Sequence, residues 1–385
     1  MRPVFLIPGL GGSMLIRRVN VDVNISDKKP YQLENRWQNI QIMKSLKHAE
    51  QWRKEMALSF DIVSNTNTIS GIKNALFNDI DIYDFGGTMG VKQLLPELRD
   101  VPSFYKYHLD YICNFQYFDA LCNDLYANGY EDHVSLFGVP YDFRLILDPL
   151  YRLCLFTQIK NLIEKTDTAS VFVCHSLGGV VFKWFLSEFV NQDWIDKYVY
   201  KFICVSVPFG GTTEAFVPCL HGYHYFDKFR DLFRVPLSQN TGVVTCFPNR
   251  ISFHENDPVA KINEKFITLN DYKVLAEAEI LPFRIWRDLF ESHIDIISSV
   301  LNVSVHIIYA SCTQTNFIPC FNKKLELTHY HQRVDGDNVI ENTSLKSYDK
   351  LFVTERLEVT EIQNSKHTGI LKHPDFLSIV RSNIT

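Results

Sequence analysis

Short apolar runs separated by polar turns recur along this chain, and each run predicts a buried strand. The first is Val4-Phe5-Leu6-Ile7, and later ones fall at 134–138, 171–173, 202–207, 303–310 and 357–362. Each is too short for a helix and is bounded by turn residues, as expected of strands covered on both faces. Between them the apolar positions move to helical spacing. Val180, Val181, Trp184, Phe185 and Phe189 share one helix face. A second amphipathic pattern at 115–128 stops at Gly129, and a third helix is expected at 156–165. Strands alternating with helices predict an α/β fold built on a mostly parallel sheet.

Two stretches break this alternation. In the first, 31–82, Trp37 and Trp52 stand among Lys44, Lys47, Arg53 and Lys54. Two tryptophans in a basic amphipathic segment suit a membrane interface, and a small packed subdomain explains the same pattern equally well. In the second, 213–300, Phe226, Phe229 and Phe233 recur at i, i+3 and i+7 with Lys228, Arg230 and Arg234 interleaved. That spacing predicts an amphipathic helix used in core or lid packing.

Composition narrows the classes. With 385 residues, 46% hydrophobic and 22% charged, the chain is globular, not disordered. A formal net charge of −5 argues against nucleic acid as a partner. The nine cysteines are odd in number and form no CxxC, so neither a disulfide framework nor a zinc site is expected. The pairs His221/His224 and His329/His331 lack companion ligands and are expected at the surface or in packing. No secretory signal precedes the first strand, and no apolar stretch approaches the ~20 residues of a membrane span. A cytoplasmic protein is therefore expected, while sequons at Asn24, Asn302, Asn342 and Asn383 keep a secretory route open.

The candidate chemistry centres on Cys174-His175-Ser176-Leu177-Gly178, between the strand at 171–173 and the helix that follows. A serine at a sharp strand-to-helix turn with small neighbours is a nucleophile elbow, here with cysteine in place of the first glycine of G-x-S-x-G. The helix N-terminus directs N–H groups at the serine oxygen and favours a developing oxyanion. Pro8-Gly9-Leu10-Gly11-Gly12-Ser13 is a glycine-rich turn directly after a strand. It lacks the lysine of a P-loop and the third glycine of a dinucleotide fingerprint. In an esterase such a loop supplies one oxyanion N–H and the residue after the nucleophile supplies the other, here Leu10 and Leu177. A serine nucleophile also needs a base and an acid, arranged in the order Ser, Asp, His after later strands. Asp335 and Asp337 qualify as the acid, and His367 and His373 as the base.

These segments together resemble the lecithin:cholesterol acyltransferase family, which includes lysosomal phospholipase A2 and phospholipid:diacylglycerol acyltransferases. PVFLIPGLGGS resembles its first strand and oxyanion loop, GVPYDFR its APYDWR segment and CHSLGG its serine elbow. PFGGT, DGDNV and KHTGIL follow in the family's order, so the resemblance runs from Pro3 to Leu371. It implies an α/β-hydrolase core formed by 1–30, 83–212 and 301–385. It further implies a membrane-binding insertion at 31–82, presenting Trp37 and Trp52, and a cap or lid at 213–300. Ser176 would be the nucleophile, Asp337 the acid, His367 the base, and Leu10 and Leu177 the oxyanion donors. Asn338-Val339 departs from the residues that usually follow the acid, which keeps Asp335 as a substitute. With no cysteine before Cys113 the disulfide-tied lid loop of extracellular relatives is not expected, in keeping with an intracellular, peripherally membrane-associated member.

The implied function is acyl transfer from a glycerophospholipid at a membrane surface through an acyl-serine. Water or a lipid alcohol such as a sterol or diacylglycerol would accept the acyl group. No metal, cofactor or protein partner is implied. A neutral-lipid or sterol-ester lipase and an inactive lipid-binding protein are the alternatives.

Overall fold

In the computed structural model the described residues are 1–17, 50, 52–53, 56, 80–92, 116–222, 234, 236–277 and 283–384. The apolar runs form a six-stranded, all-parallel sheet in the order β12–β9–β6–β5–β1–β4. These strands are β1 (Val4–Ile7), β4 (Leu136–Gly138), β5 (Ser170–His175), β6 (Val199–Val205), β9 (Val305–Ser311) and β12 (Leu357–Gln363). The chain leaves β1 for the β4 edge, then returns to lay β5 on the other side of β1. Strand order therefore reverses between β1 and β5, and the crevice beyond their C-terminal ends is where open α/β sheets bind ligands.

Side chains along each strand alternate between two cores. Phe5, Ile7, Phe172, Cys174, Phe202 and Cys204 face one, with α2 (Pro149–Glu164) and α3 (Leu177–Glu188) packed over them. Val4, Leu6, Val171, Val173, Ile203 and Val205 face the other, covered by α1 (Asp119–Ala127) and the C-terminal helix (Pro374–Ile384). On the first face Phe137, Phe5 and Phe172 stack across neighbouring strands at 4.8 and 5.1 Å, and Phe172 stacks on Phe182 of α3 at 4.4 Å. This ladder fixes the helix after the elbow against the strand before it.

The elements differ from expectation mainly at their ends. α2 starts seven residues earlier than the expected 156, because Asp148 is its N-cap, accepting from Tyr151 N–H at 2.7 Å, and Pro149 opens its first turn. α1 ends where expected, with Gly129 at φ 86°. A four-stranded sheet was not anticipated. It joins β7 (Ala260–Ile262), β8 (Lys265–Ile267), β10 (Thr313–Phe321) and β11 (Leu327–Gly336), and draws strands from both sides of the expected 300/301 boundary. Two further strands, β2 (Leu15–Arg17) and β3 (Ile80–Ile82), pair as an antiparallel ribbon. The expected helix around Phe226–Phe233 and most of the 31–82 insertion lie outside the described residues.

Candidate active site

β5 runs into α3 through one strained residue. Ser176 has φ 54° and ψ −131°, a region that side chains beyond glycine rarely adopt. Its N–H donates to Val205 C=O at 2.9 Å, and its own C=O accepts from Gly179 N–H at 3.0 Å. The turn is tight because backbones touch. A Cβ at Gly178 would lie 2.4 Å from Ile7 O and 2.5 Å from Pro8 O, and one at Gly9 would lie 2.6 Å from the Ser176 Cβ. Cys174, the departure from the elbow pattern, avoids this crowding. It belongs to β5, beside Ile7 and Cys204, and points into the core, where burial pushes its thiol well up. It is a packing residue and leaves the elbow intact.

Beside the serine the structure brings His367 and Asp337. His367 Nε2 lies 3.0 Å from Ser176 Oγ, and His367 Nδ1–H donates to Asp337 Oδ2 at 2.7 Å. The other Asp337 oxygen accepts from Val339 N–H at 3.0 Å and Ile340 N–H at 2.7 Å. Asp337 is fully buried, and Ser176 and His367 are 8% and 9% exposed. The backbones are joined too, with His367 N–H donating to Asp337 C=O at 2.8 Å. Hydroxyl, imidazole and carboxylate thus form one hydrogen-bonded chain, in which the hydroxyl proton can pass to the imidazole while the carboxylate orients the ring.

Asp335 and His373 are not part of it. Asp335 is exposed on β11 and accepts from Asn342 Nδ2 at 2.5 Å. His373 sits beside Asp375, at 3.7 Å between Nδ1 and Oδ2. Leu177, as the first residue of α3, has an N–H without an intrahelical partner. Leu10 lies in the loop facing it. There Gly12 N–H donates to Gly9 C=O at 3.0 Å. Because C=O and N–H of a trans peptide point opposite ways, this bond turns Leu10 N–H away from the loop's own interior.

Three residues that brace the site were missed as such in the sequence. Tyr141 O–H donates to Pro8 C=O at 2.9 Å and its N–H to Ser13 Oγ at 2.9 Å, holding the glycine loop from one side. Tyr117 holds it from the other, accepting from Gly9 N–H at 2.9 Å. His175, inside the elbow motif, contacts both Tyr117 and the base loop. Tyr141 had a signal in GVPYDFR. Tyr117 had none, since it precedes α1 in an aromatic run that reads as core.

Trp52 requires a correction. It is 4% exposed and belongs to the main core, so its ring is held by packing and is not offered to a membrane. Trp37 lies outside the described residues. His221 is buried, and its Nδ1 accepts from Leu327 N–H at 3.0 Å, while His329 and His331 are exposed on β11. The described cysteines are all free thiols. No described helix is long and apolar enough to cross a membrane.

Behind the acid loop, Glu341 is fully buried and accepts from Thr213 N–H at 2.9 Å and from the Thr213 hydroxyl. Burial raises its carboxyl to about 7, and raises Glu214 to about 7 with help from the Glu341 charge. A carboxyl raised by folding contributes stability that is complete below its ordinary value of 4.5 and is lost as pH rises through about 7. The contribution of this carboxyl to the melting temperature is therefore expected to fall between about pH 4.5 and 7, and Glu341→Gln, which keeps an acceptor for Thr213, should flatten that fall. Parallel melting curves for both proteins would reject this assignment.

The family model described as lecithin:cholesterol acyltransferase matches residues 103–343, a span that includes Ser176 and Asp337 and stops before His367. A bovine protein named lysosomal phospholipase A and acyltransferase is 26% identical over 219 residues, 55% of this chain and 49% of its own. Lecithin-cholesterol acyltransferase-like 1 of Arabidopsis thaliana is 27% identical over 233 residues, 54% of this chain and 49% of its own. The chain thus spans about half the length of the curated relatives it matches. The solved structure of the Tle4–Tli4 complex aligns over 99% of this chain and 98% of that one, with a TM-score of 0.51 at 9% identity, a likeness of fold alone. The expected α/β-hydrolase class holds in the core, a parallel sheet flanked by helices on both faces. A cytoplasmic location is not supported, since the bovine relative is named as lysosomal.

Proposed function

Because this chain belongs to the lecithin:cholesterol acyltransferase family, we propose that it cleaves acyl esters of glycerophospholipids through an acyl-Ser176 intermediate. The observation that supports this most directly is the Ser176–His367–Asp337 chain, 3.0 and 2.7 Å long, at the reversal point of the sheet. His367 Nε2 takes the Ser176 proton as Oγ attacks the ester carbonyl. Leu177 N–H and Leu10 N–H hold the oxyanion, and Asp337 stabilises the imidazolium that forms. His367 then gives its proton to the departing lysophospholipid oxygen. In the second half it deprotonates water or a lipid hydroxyl, which takes the acyl group and frees Ser176.

The substrate is drawn from a membrane surface, to which the protein binds peripherally. In this reading the 31–82 insertion makes the surface contact without Trp52, and 213–300 cap the site. The test is incubation with mixed phospholipid vesicles, with and without a sterol or diacylglycerol, read by lipid mass spectrometry. Lysophospholipid should appear together with fatty acid or a new acyl ester. Cleavage of sterol esters or triacylglycerol alone would favour a neutral-lipid lipase. Lipid binding with no product and no labelling by a fluorophosphonate would leave an inactive lipid-binding protein.

A further inference from the structure

His175 precedes the nucleophile, is 1% exposed and uses both ring nitrogens. Its Nδ1 meets the Tyr117 hydroxyl, and its Nε2 lies 2.9 Å from the His367 carbonyl oxygen. The protons can be placed by elimination. Tyr117 Oη already accepts Gly9 N–H at 2.9 Å, so its O–H is free to donate, and the acceptor it meets is His175 Nδ1. The ring proton is therefore on Nε2 and donates to His367 C=O. The order runs Gly9 N–H to Tyr117, Tyr117 O–H to His175, and His175 N–H to His367 C=O.

Each end of this chain belongs to a different catalytic loop. Gly9 is the residue before Leu10 and packs on the Ser176 Cβ, while Gly12 of the same loop would place a Cβ 2.9 Å from the Tyr117 ring. The other end is the backbone of His367 itself. A charged imidazole at 175 would oppose the positive charge that develops on His367, since the two rings are 4.7 Å apart. Burial and the His367 ring both hold His175 well below its ordinary value, in keeping with the neutral ring the hydrogen bonds require.

We propose that Tyr117 and His175 form a positioning relay that ties the oxyanion loop to the base loop across the nucleophile. In it, Leu10 N–H and His367 Nε2 keep a fixed geometry about Ser176 Oγ. This rests on the reading of Ser176 as nucleophile. Neither residue touches substrate. Their effect is on the register of two loops, where a misplacement of about 1 Å costs on the order of 10²-fold in rate.

The test uses the full chain with a short, water-soluble p-nitrophenyl ester and a fluorophosphonate probe. Tyr117→Phe removes one oxygen and keeps the ring against Gly12, and His175→Phe removes both imidazole contacts. Each single variant should lose roughly 10- to 100-fold in kcat and in labelling rate, with KM within about twofold. The double variant should be no slower than the slower single, because one relay is broken only once. Melting curves confirm that each protein is folded at the assay temperature. If His175→Phe does not fold, Tyr117→Phe decides alone. A Tyr117→Phe enzyme with wild-type kcat, or losses that multiply in the double variant, would overturn the relay while leaving Ser176 in place. A wild-type protein that neither labels nor hydrolyses would remove the nucleophile and the relay with it.

Discussion

Ser176→Ala is expected to abolish ester cleavage while the protein stays folded. The substitution removes one oxygen whose bonding partner is His367 Nε2 at 3.0 Å. It leaves the elbow as strained as before, because alanine keeps a Cβ at φ 54°. Glycine would be a poorer test, since it relaxes that strain and loosens the turn. Without a nucleophile, what remains is binding and the oxyanion donors, and loss of a triad serine costs on the order of 10⁶-fold in kcat. The check is a single-turnover assay on a soluble ester, with fluorophosphonate labelling and a melting curve on the same preparation. A folded variant within tenfold of wild-type turnover would sink the serine mechanism.

The sequence carried the parallel sheet because β1, β5 and β9 are buried on both faces and so appear as short, mostly apolar runs. It carried the elbow for a related reason. Gly178 stands where an added Cβ would lie 2.4 Å from the Ile7 carbonyl oxygen, so no larger residue fits there beside Ser176. The hairpin of β10 and β11 was invisible because β11, Leu-Thr-His-Tyr-His-Gln-Arg-Val-Asp-Gly, is mostly exposed and shows no apolar face to count. That hairpin changes how the acid is delivered. Asp337 does not follow a core strand directly but begins the turn after β11, with Asp335 still in the strand. Trp52 was misjudged for the opposite reason. An aromatic among basic residues has the same composition whether it faces lipid or a core, and only the surrounding fold distinguishes them. Tyr117 and His175 escaped because a buried hydrogen-bonded chain between residues 58 apart leaves no periodic trace.

Asp337→Asn should cost several orders of magnitude in rate, and Asp335→Asn should be nearly silent. The reason lies in which oxygen is already committed. Asp337 Oδ1 accepts two backbone N–H groups, from Val339 and Ile340. An asparagine at 337 must place its carbonyl oxygen there, because an amide NH₂ facing two donors would leave all of them buried and unpaired. Its NH₂ is then turned toward His367 Nδ1, which must accept, and the imidazole proton is forced onto Nε2. An Nε2–H faces Ser176 Oγ as a donor and cannot take its proton. The wrong tautomer of a triad histidine costs roughly 10⁴-fold in kcat with the geometry otherwise kept. Asp335 has no such constraint, since its side chain is exposed and its partner is the Asn342 amide. Both variants should melt as cooperative, folded proteins, and the separation should appear in kcat on a soluble ester and in the rate of fluorophosphonate labelling. Were Asp335→Asn the slower enzyme, the acid would have to be reassigned by two residues along β11. The buried Asp337–His367 pair would then be a structural bond alone.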